Sequence, residues 1–209
     1  REQMRLNAPG GVYENKVTGE VYIDDAGNKR IVVLNNDLSY KEVFGRPEHM
    51  TGDTTFEPSK IIVDKAGRMY SVVDGGYEGI IEMNSDGSFS RYFGVNKPQV
   101  NLLDYFWKSL ASDEQKQQMS KTFAPSFNNL VIDNDGFIYA TTDDGNASRK
   151  VMRFNAKGED VLRTEGYTIP VGDLERSNEE EFSCFTDVAI SDYGVYAVLD
   201  NEQGHVIVY

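Results

Sequence analysis

Apolar residues fall in short runs along this chain, and Gly, Asp and Asn cluster between the runs, which is the pattern of β-strands joined by tight turns. A unit of Gly, an apolar residue and Tyr recurs as Gly19-Glu20-Val21-Tyr22, Gly67-Arg68-Met69-Tyr70 and Gly136-Phe137-Ile138-Tyr139, with a one-residue-shorter form at Gly194-Val195-Tyr196. Each copy follows a short β-branched run, at residues 61–64, 130–133 and 188–191, with 12–17 as a degenerate version. A third strand is expected at 30–34, 79–83, 150–154 and 205–209, and Asn35, Asn84 and Asn155 close the first three of these. More polar, alternating segments at 40–44, 89–93 and 160–163 read as half-exposed fourth strands, and the last copy stops before its own.

Antiparallel four-stranded repeats with Gly/Asp turns are the blades of a β-propeller, so the fold class is all-β. The chain reads as a single domain with blades at about 12–45, 56–95, 126–165 and 182–209. Two insertions lengthen the repeat spacing. Residues 96–125 carry a helical insertion, with Leu103, Phe106, Trp107 and Leu110 on one face, and residues 167–181 form an acidic loop. The segment 4–6 could supply the last blade's missing outer strand and close a four-bladed ring. An arc of a larger ring is the preferred reading, because an unfinished blade leaves an open strand edge.

The stretch from Gly19 to Leu34, with Gly27, Asn28 and Arg30 in the turn before the third strand, resembles NHL-repeat propellers. The later turns Gly75-Gly76-Tyr77-Glu78-Gly79 and Gly145-Asn146-Ala147-Ser148-Arg149 depart from that pattern. Segments 100–110, 127–130 and 158–163 are similar to a bacterial group in which such a propeller precedes a Yip-type membrane domain. The resemblance implies an extracytoplasmic propeller, associated with the cell surface through segments outside this chain, and it brings no established chemistry with it.

Composition narrows the partners. A net charge of -13 repels phosphate backbones and anionic lipid surfaces, so neither nucleic acid nor a membrane is an expected contact of this chain. No stretch approaches the ~20 apolar residues of a membrane span. Cys184 is the single cysteine and reads as a buried apolar residue, which leaves no intrachain disulfide or cysteine-based zinc cluster. The two histidines, His49 in a loop and His205 opening a third strand, are not placed for acid–base work.

Propeller ligands gather where the innermost strands begin. The aligned positions there are Lys60, Asn129 and Asp187, preceded by Ser59, Asn128 and Thr186. Lys60, Asn128, Asn129 and Asp187 are therefore the candidate ligand-binding residues. Asn129 and Asp187 are hard oxygen donors of the kind calcium takes, whereas Lys60 sets a positive charge among them. The acidic turns at Asp24-Asp25, Asp74, Asp143-Asp144 and Asp200 recur once per blade and read as structural. Tyr105, Phe106 and Trp107 are candidates for a partner-docking patch. The expectation is a non-catalytic recognition module for a protein or carbohydrate ligand, without a cofactor and able to dimerise through open blade edges; the alternative is a calcium-dependent, lactonase-like hydrolase.

Overall fold

A computed structural model describes residues 5–51, 55–74, 79–94, 127–142, 151–162, 185–201 and 204–209. The helical insertion, the acidic loop, Cys184 and the trio Tyr105, Phe106 and Trp107 lie outside these residues.

The chain folds as a β-propeller. Four antiparallel sheets follow one another, each ordered as in the sequence. The first holds β1 (Pro9–Glu14), β2 (Val21–Asp25), β3 (Arg30–Leu34) and β4 (Tyr40–Phe44). The second holds β5 (Pro58–Val63), β6 (Met69–Val73), β7 (Ile80–Met83) and β8 (Phe89–Phe93). The third has β9 (Phe127–Ile132), β10 (Ile138–Thr142) and β11 (Val151–Phe154), and the fourth β12 (Phe185–Ile190), β13 (Tyr196–Asp200) and β14 (His205–Val208). Among the described residues the only helix is the single 3-10 turn Ala26–Asn28.

The innermost strands begin about three residues earlier than the apolar runs suggest, and they stop short of the polar residue that ends each run, because that residue belongs to the turn. Asp64 Oδ1 accepts from the Ala66 and Arg68 amides, both at 2.9 Å, and Asp133 Oδ1 accepts from Asp135 and Phe137 at 2.9 and 2.8 Å. Asn15 and Ser191 do the same for Val17 and Val195. These side chains stand in for ladder bonds and so stop the strand.

Among the described residues of the third blade, which end at 162, the expected fourth strand at 160–163 does not form. Asp160 makes only an isolated bridge to Phe154. Its carboxylate accepts from the Arg153 and Leu162 amides at 3.2 and 3.0 Å, which uses a backbone donor that an outer strand would need. The first, second and third blades do share the turn after the third strand. Asn35, Asn84 and Asn155 each receive the amide three residues on, from Leu38, Gly87 and Gly158, all at 2.8–2.9 Å. All three donors have positive φ, 64° at Leu38 and 82° at both glycines.

The innermost strands lie side by side in the order β1, β5, β9, β12, and successive blades bury three cores between them. Tyr22, Tyr70 and Tyr139 each point forward into the core shared with the next blade. Tyr196 does not repeat this role. Cross-strand register aligns Tyr196 with Met69 and Ile138 rather than with Tyr70 and Tyr139, since it pairs with Ile190 at the turn end of its strand. One residue of offset turns a strand side chain to the opposite face, and Tyr196 accordingly points back at Tyr139 in the third core. The segment before β1 belongs to the first blade: the Asn7 amide donates to Asp25 Oδ1 at 2.6 Å, and its carbonyl accepts from Gly27 at 2.9 Å.

Candidate functional site

Register confirms the equivalence of Lys60, Asn129 and Asp187. They pair with Val72, Thr141 and Leu199, and in each blade the residue before them is skipped by a bulge. The same bulge in the first blade takes in Gly10 and Gly11 and leaves Asp24 without a strand partner on β1.

At this end of the axis the third and fourth blades are tied directly. Asn129 Nδ2 donates to Asp187 Oδ1, which also accepts from the Val188 amide at 2.8 Å. Asn129 Oδ1 accepts from Leu130 at 2.7 Å. Asn128 Nδ2 donates to the Phe185 carbonyl at 2.6 Å, while its oxygen accepts a hydrogen bond from the Thr141 hydroxyl. Asn128, Asn129 and Asp187 thus form one hydrogen-bonded seam. Lys60 stands apart from it on β5, half-buried and facing a different carboxylate.

That carboxylate, Asp24, is the functional candidate that sequence reasoning missed. It is not a turn residue but lies in β2, fully buried, and neither of its oxygens has a hydrogen-bond partner among the described residues. Burial pushes its carboxyl up to about 8, against the pull of the Lys60 ammonium and with a further push from Asp74. Gly11 closes over it: a Cβ there would fall 2.6 Å from Asp24 Oδ2 and 2.8 Å from the Ser59 carbonyl oxygen. Asp25, next along, is also buried, but it is fully served by Asn7, by Asn28 Nδ2 at 2.8 Å and by Arg30 Nε at 2.7 Å. The Gly27, Asn28 and Arg30 turn is therefore a device for holding Asp25. Register makes Asp25 and Asp200 equivalent, both ending a second strand, whereas Asp74 falls one position later.

The other end of the axis is where the four inner hairpins converge. Links run there from blade to blade: Tyr13 Oη donates to the Val63 carbonyl at 2.9 Å, Lys65 Nζ to the Asn134 carbonyl at 2.5 Å, and Asn134 Nδ2 to Asp192 Oδ1 at 3.2 Å. These residues help to wall a cavity of about 470 Å³ that draws on all four blades. Among the described residues no three His, Cys, Asp or Glu side chains are grouped to hold a metal. At the start of the inner strands, Asn129 Nδ2 and Asp187 Oδ1 are spent on each other, and Lys60 is not part of that pair.

No family model and no curated protein matches the chain. It is similar in structure to the hydrazine synthase of Kuenenia stuttgartiensis, with TM-score 0.51 and 18% identity over 91% of this chain and 43% of that one. It is likewise similar to a virginiamycin B lyase from Staphylococcus aureus, with TM-score 0.53 and 14% identity over 96% of this chain and 55% of the lyase. The likeness is one of fold. This chain spans about half the length of those structures.

Proposed function

We propose that the chain is a non-catalytic recognition module that receives a protein segment or a carbohydrate at the hairpin end of the propeller axis. The cavity there carries the reading. Its volume, about 470 Å³, falls in the range of ligand pockets, and inter-blade links brace its rim before any ligand arrives. The start of the inner strands, where a calcium-dependent hydrolase would place its metal, is instead a closed seam of Asn128, Asn129 and Asp187. The resemblance of segments 100–110, 127–130 and 158–163 to the bacterial group in which such a propeller precedes a Yip-type membrane domain supports placing this module outside the cytoplasm, in a larger protein held at the membrane.

An array of immobilised polysaccharides and peptides, probed with the wild-type chain and with Ala66→Arg, tests the reading. Ala66 lines the cavity on an exposed turn, so the arginine fills the space without disturbing the strands. Binding that Ala66→Arg abolishes is expected. Calcium-dependent turnover of a lactone panel, lost in Asn129→Ala, would overturn it.

A further inference from the structure

The cavity at the hairpin end of the axis is apolar at its base and charged at its rim. Val63, Ile132 and Ile190 end β5, β9 and β12 and form the apolar part of its wall. Ile132 and Ile190 are only partly covered by the cores they pack against, so each keeps apolar surface for an occupant.

The charges above this base are unevenly shared. On the second hairpin Lys65 Nζ is turned onto the Asn134 carbonyl, and Arg68 is paired with Asp64 at 2.7 Å. Lys16 and Glu14 offset each other in the wall of the first blade. The wall of the third and fourth blades holds Asp133, Asp135 and Asp192 and no cation. Asp133 is occupied by its own turn amides, with Arg153 at 3.8 Å. Asp135 and Asp192 stand exposed on the hairpin tips and pair with no basic group among the described residues, Asp192 receiving only the Asn134 amide at 3.2 Å.

We propose that this half of the cavity takes a lysine or arginine side chain from a protein segment, with its methylene stem on Ile132 and Ile190 and its cationic head between Asp135 and Asp192. The inference rests on the recognition reading above and narrows its ligand to a basic segment. Long cationic side chains have this division of an apolar stem and a charged tip. An acidic or phosphorylated ligand meets the same two carboxylates as repulsion, and a neutral sugar leaves their charge unanswered. The net charge of -13 draws a basic segment toward the chain and raises its rate of encounter.

The test pans phage-displayed random peptides on the wild-type chain and then follows the most enriched peptide by fluorescence anisotropy. Enriched peptides are expected to share a Lys or Arg, and Ala66→Arg is expected to abolish their binding. Asp135→Asn with Asp192→Asn keeps an acceptor for Asn134 and should weaken binding about tenfold. Norleucine in place of the shared cation should do the same, with no further loss when the two changes are combined. Glu48→Gln with Asp74→Asn removes equal charge from exposed positions where the inner strands begin, and should leave the affinity unchanged. Circular dichroism checks that each variant folds. Enriched peptides without Lys or Arg, or an equal loss in the Glu48 and Asp74 variant, would overturn the assignment and leave the recognition reading standing. So would a neutral polysaccharide that is bound, and lost in Ala66→Arg, when no peptide is enriched. Peptides bound equally well by Ala66→Arg, or no ligand of either kind, would overturn both.

Discussion

The Tyr196 ring lies against Tyr139, centroids 5.4 Å apart, although the two occupy different register positions in their own blades. Tyr209, just past β14, stacks on Tyr196 at 4.9 Å, so three rings meet between the third and fourth blades. Aromatic pairs of this geometry couple by about 1 kcal/mol beyond their burial. A double-mutant cycle on Tyr139→Ala and Tyr196→Ala, read by urea unfolding, should return a coupling of that size. Strict additivity would mean the rings share a core without interacting.

Asp24 makes stability depend on pH in the direction opposite to most carboxylates. Its folded pKa of about 8 lies above the ordinary unfolded value, so the folded state holds the extra proton. The stabilisation is complete below about pH 4 and is lost as pH rises through 8. Asp24→Asn removes the charge without changing shape. It should leave stability at pH 4 nearly unchanged and raise it at pH 9 by on the order of 5 kcal/mol, the size of a shift from the ordinary value to about 8. A variant less stable than wild type at pH 9 would show that the pull of the Lys60 ammonium outweighs the cost of burial.

Asp25 behaves in the opposite way. Burial alone would raise its carboxyl, but hydrogen bonds from Asn7, Asn28 and Arg30, with the Arg30 charge, hold it below the usual carboxylate range. Its contribution is present above the unfolded pKa and falls away as pH drops through the folded one. Arg30→Met strips a cation from a fully buried carboxylate and should cost about 2 to 3 kcal/mol at pH 7, with much of the loss gone in acid.

Leu38 stands at φ 64° where the matching turns of the next two blades use glycine. A left-handed conformation costs a branched residue about 1 to 2 kcal/mol, part of which the greater entropy of unfolded glycine offsets. Leu38→Gly should therefore stabilise the chain by about 1 kcal/mol, measured as a higher urea midpoint at constant slope.

The blades were legible because their turn chemistry is local: Asn35, Asn84 and Asn155, and the glycines before Tyr22, Tyr70 and Tyr139, mark strand ends by their own hydrogen bonds and φ angles. The alignment of Lys60, Asn129 and Asp187 was legible for the same reason. Asp24 was not, since its burial depends on a bulge at Gly10 and Gly11 in one blade and on Ser59 and Lys60 in the next. Nor was the reversal of Tyr196, where a single residue lost before the strand changes which core the ring enters. The hairpin-end cavity escaped notice because its walls are residues each explained by its own turn, and only their convergence makes a site.

Calorimetric titration of calcium into chelator-treated protein, repeated with Asn129→Ala and Asp187→Ala, bears most directly on the recognition reading. The seam account predicts no stoichiometric binding to any of the three proteins, with both variants less stable than wild type because a bond between blades is gone. Stoichiometric binding by the wild type that disappears in both variants would contradict it and make the start of the inner strands a metal site.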